Sequence, residues 1–443
     1  VSGSVVLPAI LVVTLVIQAV VPARRLLVVT AGAGLAVLAS SLLEVARGPA
    51  LLAAVPWDVL VILVALGLLS EMIASSGVFG VLAVRVCAWT GANPRLLGIA
   101  FVVGMYAMSG LVNNVTALLL VLPMLLVLFK LIGISQRYFT WTVGAVLVAC
   151  NLGGAATPIG DFPAILLLGR GSMGFNDYLV RALPATLVAL GFVMAAVFLV
   201  ARPERDVERS ALSSAVATRF IAELYRNVRP DGRTLAPALA ALAAMFVAWS
   251  FLPPSLGLGP EVIAWVGVVA ALLARPARGE RLLRERVDVE ATLVLFALFV
   301  MVGAVRQSGM FEAIAGWLEA LPVSGTSRLV VFLVVAGVLT GIFSAGPSMA
   351  ALLEVAEHLA RTEPPGVVYV GLALSVCAGS SLFLTAATSG PLAQALTERA
   401  GLADPSGRPL RFGFAEFVPV GLCSFALIES VAIGYALLGT ALR

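Results

Sequence analysis

Asn151-Leu152-Gly153-Gly154-Ala155-Ala156-Thr157-Pro158-Ile159-Gly160-Asp161-Phe162-Pro163 interrupts an apolar run that spans 138–168. The run is long enough to cross ~30 Å of hydrocarbon, yet its middle carries glycines, two prolines and a carboxylate. Glycine and proline unwind a helix, and unpaired backbone survives at mid-membrane only where protein surrounds it or a cavity lines it. The stretch therefore reads as a helix broken inside a bilayer, with Asp161 at the break. Freed carbonyls at such a break can hold a cation, and a helix N-terminus can face an anion.

The rest of the chain supports a membrane setting. Of 443 residues, 61% are hydrophobic and 12% charged, and mean hydropathy is +1.07; a soluble domain of this length needs far more polar surface. Apolar spans recur at 5–21, 26–43, 57–74, 179–201, 235–251, 261–275, 289–306 and 412–437, with a second polar-interrupted run at 367–398. The first span lacks a basic leader and a cleavage site, so it reads as a retained helix. Two further regions, 96–130 and 328–360, break at Asn113-Asn114-Val115-Thr116 and at Ser344-Ala345-Gly346-Pro347-Ser348. Each is either two spans or one re-entrant hairpin, and the polar tips favour hairpins. The expected fold is all-α and polytopic, with two hairpins, two broken helices and about 10–11 transmembrane helices.

Charge sets the orientation. The net charge of +4 is carried by arginine, Lys130 being the only lysine. With both termini outside, basic residues fall roughly three to one on the inner side, as the positive-inside rule expects. Nucleic acid is thereby excluded as the reason for the basic excess. The expected location is a bacterial inner membrane or an internal membrane derived from it.

The two halves repeat. Trp57-Asp58 through Ser76-Gly77-Val78-Phe79 aligns without gaps on Val289-Glu290 through Ser308-Gly309-Met310-Phe311. An amphipathic segment, a hairpin and an interrupted span follow in each copy, and the two copies run in opposite directions. Residues 1–201 form the first half, with its hairpin at about 96–130 and broken helix at about 138–168. Residues 202–234 are a charged cytoplasmic linker, read as a solvated helix. Residues 235–443 form the second half, with a hairpin at about 328–360 and a broken helix at about 367–398. An inverted repeat with matching broken helices points to alternating access.

Gly153-Gly154-Ala155-Ala156-Thr157-Pro158-Ile159-Gly160-Asp161-Phe162-Pro163 resembles the signature of the ion transporter superfamily. Within it, the chain is most similar to NhaD-type sodium/proton antiporters, ArsB arsenite pumps, the melanosomal P protein and citrate-transporter-like permeases. Ile159-Gly160-Asp161-Phe162-Pro163 and Phe175-Asn176-Asp177-Tyr178 extend the likeness to magnetosome-membrane members. The resemblance implies an elevator-like transporter, usually a homodimer, with a scaffold and a moving part that carries hairpins and broken helices. It implies a small ion or anion as substrate and no cofactor beyond a coupling ion, Na+ or H+.

Departures from the family pattern fall in the second half. Its hairpin tip has neither Asp nor Asn, and Gly379-Ser380-Ser381-Leu382-Phe383-Leu384-Thr385-Ala386-Ala387-Thr388-Ser389-Gly390-Pro391 keeps hydroxyls and breakers but no Asn. The first tip reads Asn113-Asn114 where antiporter-like relatives place Asp-Asn. An asymmetric ion site is expected, from Asn113, Asn114, Thr116, Thr157, Gly160 and Asp161, faced by Ser348, Ser381 and Thr385. Proton coupling through Asp161 is the simplest mechanism, with Glu429 as a second relay candidate. Blander roles compete: Asn113, Asn114 and Asp161 as helix caps, and the Ser/Thr cluster as close-packing residues. Glu71 and Glu354 fall near interfaces, and His358 beside Glu357 at a surface.

An intramembrane enzyme is excluded: one histidine, no HExxH and no GxSxG assemble no catalytic set. Cys87, Cys150, Cys377 and Cys423 lack CxxC spacing and read as small packing residues, not a disulfide framework or metal site. Cation/proton antiport leads. Permeation of an anion (citrate, a dicarboxylate) or arsenite is the alternative, and a transport-inactive scaffold or assembly subunit is the third.

Overall fold

The computed structural model describes residues 3–21, 24–91, 93–207, 223, 230–253, 256–320, 322 and 325–441. Most of the linker, where a solvated helix is expected, lies outside the described residues. Among those described, the chain is all-helical apart from one isolated bridge between Ala403 and Pro409. Among the described residues nine helices are long and apolar enough to cross a membrane by length and composition, and four shorter apolar helices accompany them.

The first half contains α1 (Gly3–Val20), α2 (Arg25–Leu42), α3 (Gly48–Ala53), α4 (Trp57–Ser75) and α5 (Val78–Thr90). Next come α6 (Pro94–Ser109) and α7 (Asn114–Ile132), which form the first hairpin. The first broken helix is α8 (Gln136–Ala156) and α9 (Phe162–Gly169), followed by α10 (Phe175–Ala195). The second half contains α11 (Gly232–Phe251), α12 (Pro260–Leu273), α13 (Pro276–Glu285), α14 (Val289–Gln307) and α15 (Met310–Ala320). Its hairpin is α16 (Gly325–Phe343) and α17 (Ala345–Leu359); its broken helix is α18 (Pro365–Ser380) and α19 (Ser389–Ala400). The last helix is α20 (Phe414–Ala441). The helices stop at Ser109, Ala156, Phe343 and Ser380 and restart at Asn114, Phe162, Ala345 and Ser389.

The repeat is visible at atomic detail where α4 and α14 end. Gly77 (φ 80°) and Gly309 (φ 74°) both turn the chain left-handed, a conformation glycine adopts without a Cβ clash. The preceding serines cap alike: Ser76 Oγ donates to the Ile73 carbonyl at 2.7 Å, and Ser308 Oγ to the Val305 carbonyl at 2.7 Å.

Packing divides the helices into two groups. In one, α2 lies along α14 and α12 along α4, so each half's second helix covers the other half's repeat helix. In the other, α6 packs on α8, α16 on α18, and α10 and α20 bind these pairs together. Close approach within the pairs depends on absent side chains. A Cβ on Gly153 would strike the Tyr106 carbonyl of α6, and one on Gly379 would strike the Gly337 carbonyl of α16. Small residues at equivalent crossings are how helices associate in lipid, where no hydrophobic force drives them together.

Polar contacts sort to the two ends of the molecule. At one end Asp231 accepts from Arg275 at 2.6 Å and Arg278 at 2.9 Å, Arg286 faces Glu71 at 3.4 Å, and Arg137 faces Asp206 at 3.3 Å. At the other, Glu354 takes Arg170 at 2.5 Å and Arg306 at 3.2 Å. Glu71 and Glu354 thus both sit at helix ends with arginine partners. The His358 ring lies half-buried beside Glu354, its Nδ1 2.9 Å from the Glu354 carbonyl oxygen.

Candidate functional site

Both hairpin tips and both helix breaks meet at one cavity of about 260 Å³. Its floor is Asn113, Asn114, Asp161, Ser344 and Ala387–Ser389; its mouth is Arg25, Asp288 and Glu290, brought together by α2 and α14. The two helix groups therefore share its walls.

Each element arrives there by local chemistry. Asn113 caps α7, its Oδ1 accepting from the Val115 amide at 2.9 Å. Asp161 caps α9, its Oδ1 accepting from the Phe162 amide at 2.8 Å, and Pro163 occupies the first turn, where no amide is missed. Capping uses one carboxylate oxygen. The other, Oδ2, accepts from Asn114 Nδ2 at 2.8 Å, so the cap reading and the site reading hold for the same side chain. No arginine, lysine or histidine among the described residues lies in ion-pair contact with Asp161.

The signature glycines make this contact possible. A Cβ on Gly154 would stand 2.7 Å from both Asn114 Oδ1 and Asp161 Cβ, and one on Gly160 2.7 Å from the Gly154 carbonyl oxygen. Behind Asn114, Ser109 Oγ lies within hydrogen-bond reach of Asn114 Oδ1 and of the Cys150 carbonyl oxygen at 2.7 Å. Its single proton serves one of these at a time. Thr157 Oγ1 donates to the Gly110 carbonyl at 2.6 Å, tying the break to the hairpin.

The two breaks are stitched by Asn151. Its Nδ2 donates to the Ser380 carbonyl and to Ser381 Oγ, each at 3.2 Å, while its Oδ1 accepts from Ser389 Oγ at 3.4 Å. A second cavity of about 10 Å³ lies behind Asp161, bordered by Asn151, Cys377 and Ser380; it is about the size of one water.

Of the expected site residues, Asn113, Asn114 and Asp161 line the main cavity. Thr157 and Gly160 hold its frame, and Ser381 is buried in the Asn151 network. Thr116, Ser348 and Thr385 fall outside the lining: Thr385 is exposed, and Ser348 is buried with no hydrogen-bond partner for its Oγ. Thr388 and Ser389 take the place assigned to Thr385. Three further lining groups, Arg25, Asp288 and Glu290, escaped sequence reasoning, because they converge only when α2 packs on α14. Glu429 sits apart on α20, buried, with Ser375 Oγ donating to its Oε1 at 3.0 Å and no partner on Oε2. Cys150 and Cys377 are buried free thiols and Cys423 is a partly buried one. Among the described residues no group of histidines, cysteines and acids is placed to hold a metal.

Comparison with known proteins agrees with this architecture. The profile of the citrate transporter family matches residues 9–379 and 255–439. An uncharacterized transporter of Mycobacterium tuberculosis is 28% identical over 375 residues, covering 81% of each chain. The magnetosome protein MamN of Paramagnetospirillum magneticum is 28% identical over 382 residues, covering 84% of each. The arsenical pump membrane protein of Yersinia enterocolitica is 24% identical over 273 residues, covering 61% of each. The crystal structure of the Alcanivorax borkumensis YdaH transporter superposes with a TM-score of 0.52 at 16% identity, over 87% of this chain and 84% of that one. With hairpins and breaks meeting at one cavity and a family profile spanning nearly the whole length, the chain belongs to the citrate transporter family and is a multi-pass membrane transporter, not an enzyme.

Proposed function

We propose that the protein is a secondary transporter that exchanges a monovalent cation for protons at Asp161. One observation carries this reading: the cavity floor presents a carboxylate bound by an amide and a side-chain amide, with no basic side chain among the described residues paired to it. Such a group in a membrane interior binds a cation or a proton in turn, because an unpaired charge there is costly. The walls support alternating access. Asn113, Asn114, Asp161, Ser344 and Thr388 stand at the tips and breaks that continue from α6, α8, α16 and α18, and Arg25, Asp288 and Glu290 at the starts of α2 and α14, so sliding of one set past the other would carry the site between faces. The basic end, where the cavity opens, is taken as cytoplasmic by the positive-inside rule; both termini would then lie outside and the chain in a bacterial inner membrane or an internal membrane derived from it, with the cavity open inward.

Proteoliposomes with an internal pH dye test the proposal. Pulses of Na+, Li+ or K+ should move protons with the wild-type chain and fail to do so with Asp161→Asn. Proton movement that survives Asp161→Asn removes that residue from the mechanism.

A second reading has its own observation. Four helix N-termini meet at the cavity floor, those of α7, α9, α17 and α19, and the last two carry no side-chain cap. Uncapped N-termini are ready anion sites, so the same liposomes should be offered citrate, dicarboxylates and arsenite. Uptake of one of these without cation-driven proton movement makes the protein a permease.

A further inference from the structure

A cavity larger than the polar one lies elsewhere on the molecule. A groove of about 960 Å³ runs on the outer surface between α10 and α20. Its walls are apolar stripes at helical spacing, including Val188 and Phe192 on α10 and Leu438 on α20, all exposed. From Arg181 to Phe192 it follows α10 for about 17 Å at 1.5 Å per residue. That is close to the ~15 Å of hydrocarbon in one leaflet.

One end of the groove is cationic. Arg181 lines it, with Tyr435 also in the lining. The arginine stem and guanidinium lie across Gly366, where a Cβ would stand 3.0 Å from Nε; glycine there lets the guanidinium rest on the first turn of α18. A guanidinium over the positive end of a helix is electrostatically unfavourable until an anion joins them. Among the described residues no carboxylate does so: Arg181 has no ion pair, although Asp177 stands one turn away on the same helix. A lone cation capping a leaflet-long apolar groove on a membrane-facing surface has the charge and shape of one ligand class.

We infer that this groove binds one anionic phospholipid, its phosphate on Arg181 and Tyr435 and an acyl chain along Val188 and Phe192. The site is remote from the transport cavity and bridges α10, α18 and α20, so an occupant would brace the outer face of the helix group that holds Asp161.

Native mass spectrometry of the detergent-released full chain, titrated with phosphatidylglycerol or phosphatidylethanolamine, tests this. The wild-type chain should bind one phosphatidylglycerol about tenfold more tightly than phosphatidylethanolamine, the worth of one charge-assisted contact. Arg181→Gln should erase that preference and Arg361→Gln should keep it. Val188→Trp, which fills the groove away from the charge, should weaken both lipids; this variant carries the test even if Arg181→Gln does not fold. Unchanged phosphatidylglycerol binding in either variant overturns the inference. Competition by millimolar inorganic phosphate would make it a free-anion site, and conversion of a dimer to monomers by Val188→Trp would make the groove a contact between copies; both overturn it.

Discussion

Replacing Glu354 by glutamine should destabilise the protein by about 2–3 kcal/mol, and the structure shows why the figure is neither smaller nor larger. Glu354 is only 3% exposed. Its Oε1 meets Arg170 Nη1 at 2.5 Å and its Oε2 meets Arg306 Nε at 3.2 Å. Removing one partner from a buried ion pair costs about 3–5 kcal/mol, because the other charge is left uncompensated. Here the Arg170 charge is not wholly stranded, since Glu357 Oε1 remains 3.6 Å away, and this lowers the expected loss. The Arg306 side chain is 50% exposed against 14% for Arg170, so its share resembles a surface pair, about 1 kcal/mol or less. Unfolding free energies from titration with SDS in mixed micelles give the comparison. Arg306→Gln should cost less than ~1 kcal/mol, while the double variant Glu354→Gln/Arg170→Gln should fall short of the summed singles by at least ~1 kcal/mol. Additive singles, or a Glu354→Gln chain within ~0.5 kcal/mol of wild type, would refute the assignment of the energy to a buried Arg170–Glu354 pair.

Three further outcomes are expected. Ser344, at φ 80° and ψ 153°, holds a backbone conformation suited to glycine, so Ser344→Gly should raise unfolding free energy by about 1 kcal/mol in the same titration. Gly153→Ala places a methyl against the Tyr106 carbonyl, whereas Gly104 on α6 has open space; the first should lose ~1–3 kcal/mol and the second should match wild type within ~0.5 kcal/mol. The Asp231 carboxyl is held below its usual range by the Thr234 hydroxyl and then by Arg275, so its stabilisation is complete above an unfolded pKa of about 3.9 and is lost as pH falls through the lower folded value. Amide exchange at the start of α11 should therefore quicken below about pH 4 in the wild type and show no such step in Asp231→Asn.

Much of the fold is written in where apolar runs break. The hairpin tips at Asn113-Asn114 and Ser344-Ala345-Gly346, and the helix breaks after Ala156 and Ser380, each coincide with residues that cannot continue a helix through lipid. The Ser-Gly-x-Phe repeat was equally legible, because a left-handed glycine after a serine cap is a local event. The site was legible only in its first half, where Asn113, Asn114 and Asp161 sit at caps whose direction the backbone fixes. Between Ser381 and Thr388 the chain is irregular, so no period says which hydroxyl faces the cavity, and Thr388 and Ser389 stand where Thr385 is expected. Arg25 and Asp288 depend on two helices far apart in sequence, and Arg170 with Glu354 on two more; no local pattern encodes such meetings.

The loss of polar side chains from the second half need not mean a loss of function there. In the first half, Asn113 and Asp161 cap the helices that start at the cavity, which uses the amides of those N-termini. In the second half, Ser344 and Thr388 cap with no side-chain hydrogen bond. A carboxylate on one side then faces, on the other, two helix N-termini without side-chain caps. There the Ala345 amide donates to the Ala386 carbonyl and the Gly390 amide to the Ala387 carbonyl, each at 3.2 Å, and the other first-turn amides of α17 and α19 keep the positive end of the dipole. In the proposed exchange, this arrangement stabilises Asp161 as an anion when the cation leaves, without a basic side chain that would compete for it. An aspartate introduced at Thr388 should neutralise that dipole and place a second carboxylate opposite the first. Cation binding should then tighten and proton release slow, an outcome that cation-pulse kinetics in the same liposomes would read; unchanged kinetics would show that the second half contributes shape alone.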